Sequence, residues 1–267
     1  MAGAGEELPK RVAQMLSRAE RRDRPTTTKL RRDTRVEQAV FEEVFDKPTL
    51  MTVYHLLNRG ILGQLHGAVQ AGKESRIYWA KSREGEDLAV KIYLTVSAEF
   101  RKGMVKYIEG DPRFEYPKGD VRSLVALWAS KEYRNLKQAY EAGVRVPEPI
   151  HVERNVLVME FIGEDGRPAA LLKDSALRSP TRLYRQVMNA VRKLYRKAEL
   201  VHGDLSEYNI MMRRGVPVLF DLSQAVSVKH PLASELLKRD ISNLTRWFQK
   251  KGAEVMAEEE AYKWIVS

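Results

Sequence analysis

The first half of the chain is built from short runs of β-branched and aromatic residues with Gly punctuation, and the second half from apolar residues at helical spacing. Leu65–Gln70, Arg76–Ala80 and Leu88–Leu94 predict three strands, joined by turns at Ala71–Glu74 and Arg83–Asp87. Ahead of them Val40, Val44, Phe45, Leu50, Val53, Leu56 and Leu57 predict a helix over Val36–Arg59, stopped by Gly60. Ser97–Ile108 and Ser123–Ala142 predict two more helices, the second ended by Gly143. Between them Glu109–Asp120, with two prolines and two glycines, reads as a mobile loop. Ile150–Glu153 and Asn155–Ile162 predict a hairpin, and Gly163–Pro168 a connector. Ser179–Leu200 and Pro231–Lys251 predict long helices. Near the start, Val12, Met15, Leu16 and Ala19 suggest a helix broken by Pro25 and Thr26–Thr28, with a solvated arm as the alternative. The expectation is an α+β chain: a basic helical extension over 1–60, a β-rich lobe over 61–162 and a helical lobe over 163–267.

Chemistry concentrates where the helical pattern of the second half is interrupted. Val201–Asn209 reads VHGDLSEYN, and Val218–Gln224 reads VLFDLSQ. Ile210–Met212 and a turn at Arg214–Pro217 separate them, giving loop, strand, turn, strand and then an acid at the strand end. Asp204, on the loop, can accept a proton from an incoming hydroxyl. Asn209, five residues on, offers a neutral oxygen to magnesium, and Asp221 a charged one. Magnesium takes one or two protein oxygens and leaves its other positions to phosphate and water. These are parts for phosphoryl transfer from a nucleotide.

The β-rich half supplies the complementary charges. In Leu88–Leu94 the strand alternation turns Val90 and Ile92 to one face and Lys91 to the other. An ammonium there needs anions, since an unpaired buried charge costs several kcal/mol. Glu132 lies four residues from both Trp128 and Leu136, on the apolar face of its helix, so pairing Lys91 with Glu132 resolves both anomalies. The pair would position nucleotide phosphates. Leu65–Ile77 occupies the place of a phosphate-covering loop with only Gly67 and Gly72; its backbone amides and Ser75 are the groups that reach phosphate. It is not a Walker A loop. The strand at Asn155–Ile162 offers backbone groups at Glu160 and Ile162 to a purine edge, with Met159 flanking the pocket.

Composition adds compartment and partner. Of 267 residues none is Cys, so there is no disulfide frame and no thiolate chemistry. No apolar run is long enough to span a membrane and the N-terminus has no signal core, so the expected location is cytoplasmic, with no membrane partner. The formal charge of +10 favours polyanionic partners such as nucleic acid. Over 179–200, Arg182, Arg185, Arg192, Lys193 and Arg196 lie opposite Leu183, Val187, Ala190 and Leu194, a face suited to RNA or to solvent.

The order AGKESRIYWA, LAVKIYL, KEYRNL, VPEPI, VLVMEFIG, LVHGDLSEYN and LFDLSQAV resembles the RIO family of atypical serine/threonine protein kinases, most closely its first subfamily in the minimal archaeal form. The resemblance runs from about Phe41 to Gly252. Ordinary protein kinases carry HRD, DFG and APE where this chain has HGD, DLS and nothing. The resemblance implies a two-lobed kinase-like fold whose second lobe lacks an activation loop and peptide-docking helices. It implies binding of ATP and magnesium, with manganese as an alternative, through Lys91, Glu160, Ile162, Asn209 and Asp221, with Asp204 as catalytic base. It implies autophosphorylation on serine, an ATPase activity in which Asp221 is phosphorylated, and work on small-ribosomal-subunit precursors, their RNA and assembly proteins. Asp240, in LLKRDISNL, matches an acid that braces the catalytic loop. Gln70–Ala71 stand where the family often has Ser–Thr. The absence of a preceding winged helix argues against the second subfamily, and no charged tail of the eukaryotic kind follows. Two other classes share parts of the pattern: a small-molecule phosphotransferase of the aminoglycoside or choline kinase type, and an assembly factor whose nucleotide only switches its grip on RNA. The first needs an acidic cavity built from extra C-terminal helices, whereas only residues 222–267 follow Asp221.

Overall fold

The computed structural model describes residues 46–94, 98–115 and 120–267. The expected N-terminal helix, the start of the helix from Val36 and the tip of the 109–120 loop lie outside the described residues.

Helix α1 spans Lys47–Asn58; the Asp46 side chain accepts from the Thr49 amide at 3.0 Å and Pro48 opens the first turn. It closes with Gly60 at φ +76°, the Ile61 and Gly60 amides returning to the Leu56 and Leu57 carbonyls. Strands β1 (Gln64–Ala71), β2 (Ser75–Lys81), β3 (Asp87–Tyr93), β4 (Pro149–Glu153) and β5 (Val156–Glu160) form one antiparallel sheet in the order β1-β2-β3-β5-β4. Alternation divides its residues as the sequence predicts. Tyr78, Ala80, Leu88, Val90, Ile92, Val156 and Val158 pack on one face with Val53 and Leu56 of α1. Ala89, Leu157 and Met159 join the larger core on the other face. Helix α2 (Ala98–Ile108) precedes α3 (Val121–Glu141), which packs against β4 and β5 and also against the turn Leu222–Gln224.

Beyond the sheet, Gly163–Glu164 (β6) and Arg167–Pro168 (β7) pair as a small hairpin where the sequence suggested only a connector. A Cβ at Gly163 would lie 2.2 Å from the Arg167 carbonyl, so only glycine permits this closure. The second lobe holds α4 (Pro180–Arg196), α5 (Ala233–Lys250) and α6 (Glu258–Val266), which pack on one another. Two further hairpin-like pairs complete it: β8 (Leu200–Val201) with β11 (Val226–Ser227), and β9 (Ile210–Arg213) with β10 (Val216–Leu219).

Two local expectations are corrected. The helix predicted to Leu200 ends at Arg196, because Glu199 turns to φ +49° and Leu200–Val201 pairs with Val226–Ser227. Long-range pairing here overrides the apolar period. The turn predicted over Arg214–Pro217 shrinks to Arg214–Gly215, both at positive φ, as a two-residue hairpin requires. Val216 and Pro217 belong to β10, where Pro is tolerated on an edge. Among the described residues, no helix is long and apolar enough to cross a membrane.

Candidate active site

Five segments far apart in the chain meet under the sheet. Lys91 on β3 donates to Glu132 of α3 at 3.0 Å and to Asp221 at 3.0 Å. The predicted Lys91–Glu132 pair is present, and Asp221 completes a triad. The Tyr93 hydroxyl, two residues along the same strand, also donates to Glu132. Lys91 is buried, which opposes its charge, but Asp221 and Glu132 outweigh this and hold it above its ordinary value. Burial pushes Glu132 up to about 7 against the pull of Lys91. The Asp221 side chain is 40% exposed; its partly buried setting works to raise its pKa, yet Lys91 and the Ser223 hydroxyl, 2.8 Å from its Oδ1, keep it below the usual carboxylate range.

Asp221 follows β10 in the left-handed conformation, φ 59° and ψ 63°. Its strand is tied to the catalytic loop twice: the Phe220 amide donates to the Asn209 carbonyl at 3.1 Å, and His202 Nε2 lies 3.0 Å from the Phe220 carbonyl. Burial holds the His202 imidazole neutral, its pKa down at about 4. Gly203 sits at φ +80°, with the Gln224 carbonyl 3.0 Å from where a Cβ would be. Thus HGD needs its glycine.

Asp204 and Asn209 face the same region. The Asn209 amide nitrogen donates to the Asp204 carbonyl at 2.6 Å, which leaves the Asn209 side-chain oxygen as the outward group. Gln224 donates to the Asp204 carboxylate at 3.2 Å. Partial desolvation raises the Asp204 pKa, Arg239 pulls it down, and Asp221 adds to the rise. From behind, Asp240 on α5 accepts from the Gly203 and Leu205 amides, both at 2.8 Å, as expected of a brace. Arg239 donates to the Gly203 carbonyl and Asn243 to that of Leu205 at 3.3 Å.

The donor set suits magnesium: one carboxylate and one amide oxygen, both hard, with room for phosphate oxygens. Among the described residues no group of three or more His, Cys, Asp or Glu forms a metal cage. When bound, the ion would neutralise phosphate charge, held by Asp221 and Asn209.

The hinge residues are placed as follows. Met159 pairs with Ala89 and is buried in the cleft-side core. The Glu160 amide donates to the Glu148 carbonyl at 2.8 Å, and the Ile162 carbonyl accepts from Ala169 at 2.8 Å. The Glu160 side chain is engaged elsewhere, by Arg145 at 2.8 Å and Arg213 at 2.5 Å. Ser75 begins β2 opposite Tyr93, and its carbonyl accepts from the Gly72 amide at 2.9 Å. The neighbouring Glu74 was missed by sequence reasoning. Desolvation, then Asp221, raise its pKa while Lys91 lowers it, so its carboxylate belongs to the electrostatics of the centre. Tyr93, Lys131 and Asn135 were missed as well. The signal for the last two was present, since both interrupt the apolar face that exposed Glu132 as an anomaly.

A family model described as the RIO domain matches residues 76–261. The chain belongs to the RIO family of serine/threonine-protein kinases, in its Rio1 branch. It is 43% identical over 215 residues to the RIO-type serine/threonine-protein kinase Rio1 of Haloferax volcanii, covering 80% of this chain and 73% of that one. The Rio1 of Methanocaldococcus jannaschii is 42% identical over 224 residues, covering 84% and 76%. Human RIO1 is 40% identical over 235 residues, covering 86% of this chain but 41% of the human protein. In fold it is similar to the Rio2 kinase of Chaetomium thermophilum, solved as an ADP/Mg2+-phosphoaspartate complex: TM-score 0.62, 24% identity, covering 80% of this chain and 65% of that one. The likeness bears out the two-lobed α+β kinase fold.

Proposed function

We propose that this RIO kinase uses ATP with magnesium to phosphorylate serine on protein, itself included, and to hydrolyse ATP, in the cytoplasm, on precursors of the small ribosomal subunit. The observation that carries the catalytic part is the meeting of Lys91, Glu132 and Asp221 at 3.0 Å contacts, beside Asp204 and Asn209. In this reading the purine edge lies against the Glu160 carbonyl and the Ile162 amide, with Met159 at the back of the pocket. With nucleotide bound, Lys91 would exchange Asp221 for phosphate oxygens while keeping Glu132, and Asp221 and Asn209 would be the residues that hold magnesium. Asp204 takes the proton of the attacking hydroxyl, or of water in the hydrolytic branch. Its raised pKa makes it a better proton acceptor than an ordinary surface acid.

Support for a ribosomal precursor is coarser. It rests on the +10 charge and the exposed Arg182, Arg185 and Arg196 of α4. Two other cations of that face are engaged by the protein: Lys193 donates to the Gly143 carbonyl at 2.8 Å and Arg192 lies over the Trp264 ring.

The test is incubation with γ-labelled ATP and magnesium, alone and with precursor particles, following free phosphate and acid-stable versus hydroxylamine-labile label. Acid-stable label on protein supports serine transfer. Particle-stimulated phosphate release with hydroxylamine-labile label supports an ATPase passing through Asp221. Asp204→Ala should lower transfer by roughly 10²–10⁴-fold. Label appearing only on an added small molecule would overturn the reading in favour of a small-molecule phosphotransferase.

A further inference from the structure

Helix α3 carries more buried polarity than Glu132 alone. Lys131 and Asn135 are both 0% exposed, on a helix whose inward face is otherwise mostly apolar. Among the described residues no carboxylate forms an ion pair with Lys131. Polar groups in such a place are destabilising unless their hydrogen bonds are made.

Those bonds converge on one short turn. Lys131 donates to the Ser223 carbonyl at 3.1 Å and to the Ala225 carbonyl. Asn135 donates to the Leu222 carbonyl at 2.8 Å and to that of Ala225 at 2.9 Å. The amide oxygen of Asn135 accepts from Arg113 at 2.9 Å, so its orientation is set. Arg113 is itself held by the buried Asp111 at 2.7 Å. The clamp is therefore backed by a second layer of ion pairing.

The gripped turn is the one that begins at Asp221. A non-glycine residue at φ +59° is held against its intrinsic preference. The turn has no side-chain cap of its own at Asp221. Within the turn its carboxylate accepts from the Ser223 hydroxyl at 2.8 Å, and its left-handed backbone is determined by the surrounding structure.

We propose that Lys131 and Asn135 are positioning residues: by gripping the carbonyls of Leu222, Ser223 and Ala225 they hold Asp221 in the left-handed conformation that presents its carboxylate to magnesium. Glu132 lies between them on the same helix. So α3 sets the Lys91 ammonium and the Asp221 carboxylate as one rigid unit. An outward swing of this helix would break four bonds to the turn as well as the Lys91–Glu132 pair. This inference rests on the phosphotransfer reading above.

The test uses Lys131→Met and Asn135→Leu, which keep side-chain size and remove the donors. ATP affinity is measured by calorimetry with and without magnesium. Amide hydrogen exchange is followed in the nucleotide-free protein. The expected result is a loss of about 10–100-fold in the magnesium-assisted part of ATP affinity, the size seen when supports of metal ligands are removed. Affinity without magnesium should be unchanged, and faster exchange should be confined to the turn after Asp221. An unchanged magnesium gain in a folded variant overturns the proposal. So does an equal fall in both affinities, or faster exchange throughout the protein, which would mark a purely structural role. Should Lys131→Met fail to fold, Asn135→Leu alone decides. If the wild type binds ATP no better with magnesium than without, the phosphotransfer reading fails first and the inference with it.

Discussion

Helices α3 and α5 each support one loop of the site, and they do so with opposite chemistry. Helix α5 grips the catalytic loop mainly by its amides: the Asp240 carboxylate accepts from Gly203 and Leu205. Helix α3 grips the metal-side turn by its carbonyls: Lys131 and Asn135 donate to Leu222, Ser223 and Ala225. Both sets of side chains are almost wholly buried, Asp240 at 1% exposure and Lys131 and Asn135 at 0%. The difference shows that each loop is held by whichever backbone groups its conformation leaves unpaired on the inner side. The outer side then remains for substrate. A helix with an acid in the wrong place, or a base, would support neither loop.

Reversing the polarity of a brace is the severest test of this contrast. Lys131→Glu would set a carboxylate against the Ser223 and Ala225 carbonyls and leave it unpaired, with an expected loss of about 3–5 kcal/mol in urea denaturation. Normal stability in that variant would end the donor reading of α3. Removing the acceptor on the other side is milder. Asp240→Ala strands two buried amides and should cost about 2–4 kcal/mol, since each lost partner costs about 1–3. Its transfer rate should fall with Asp204 no longer held.

The opposite charges also predict opposite pH responses. Burial lowers Lys131 from 10.5 to about 7, against some help from Asp111. The unfolded chain then binds a proton between these values and the folded one does not, so this contribution to stability grows from pH 7 upward and is lost as pH falls through 7. Burial raises Asp240 from 3.8 to about 7, despite its two amide donors. Here the folded state holds the extra proton, so the contribution is present below about pH 4 and lost as pH rises through 7. In denaturant titrations Lys131→Met should therefore cost more at pH 9 than at pH 7, and Asp240→Asn more at pH 5 than at pH 7. The smallest expected effect is that of Asn243→Ala, which removes a long 3.3 Å bond to Leu205 and should cost about 1 kcal/mol. A larger cost would make Asn243 an equal partner of Asp240.

Much of the site was legible in the chain because its anomalies are local. Lys91 between Val90 and Ile92, and Glu132 on an apolar helical face, each violate burial rules, and one pairing resolves both. HGD followed by Asn five residues on and by DLS carries its spacing within a single hairpin unit. The misses have a different origin. Tyr93 lies on a strand rich in apolar residues, where a hydroxyl gives no sign of its target. Lys131 and Asn135 pair with backbone carbonyls, which every residue possesses, so nothing in the partner's sequence marks the contact. The end of α4 was overrun for a similar reason: Leu200 continues an apolar period, and only its pairing with Val226–Ser227 assigns it to a strand.

Alternation, turn residues and charge in apolar surroundings act over a few residues, so the strand faces and the chemically distinctive side chains were readable from the chain, while the family came from the resemblance of its motifs. Packing alone decided that Lys91 also reaches Asp221, that Glu74 shares their field, and that α3 holds the turn after Asp221. Those contacts join residues tens to more than a hundred positions apart, some through charged side chains and some through unremarkable backbone carbonyls. Their existence depends on how the helices pack against the sheet, and no local pattern records that.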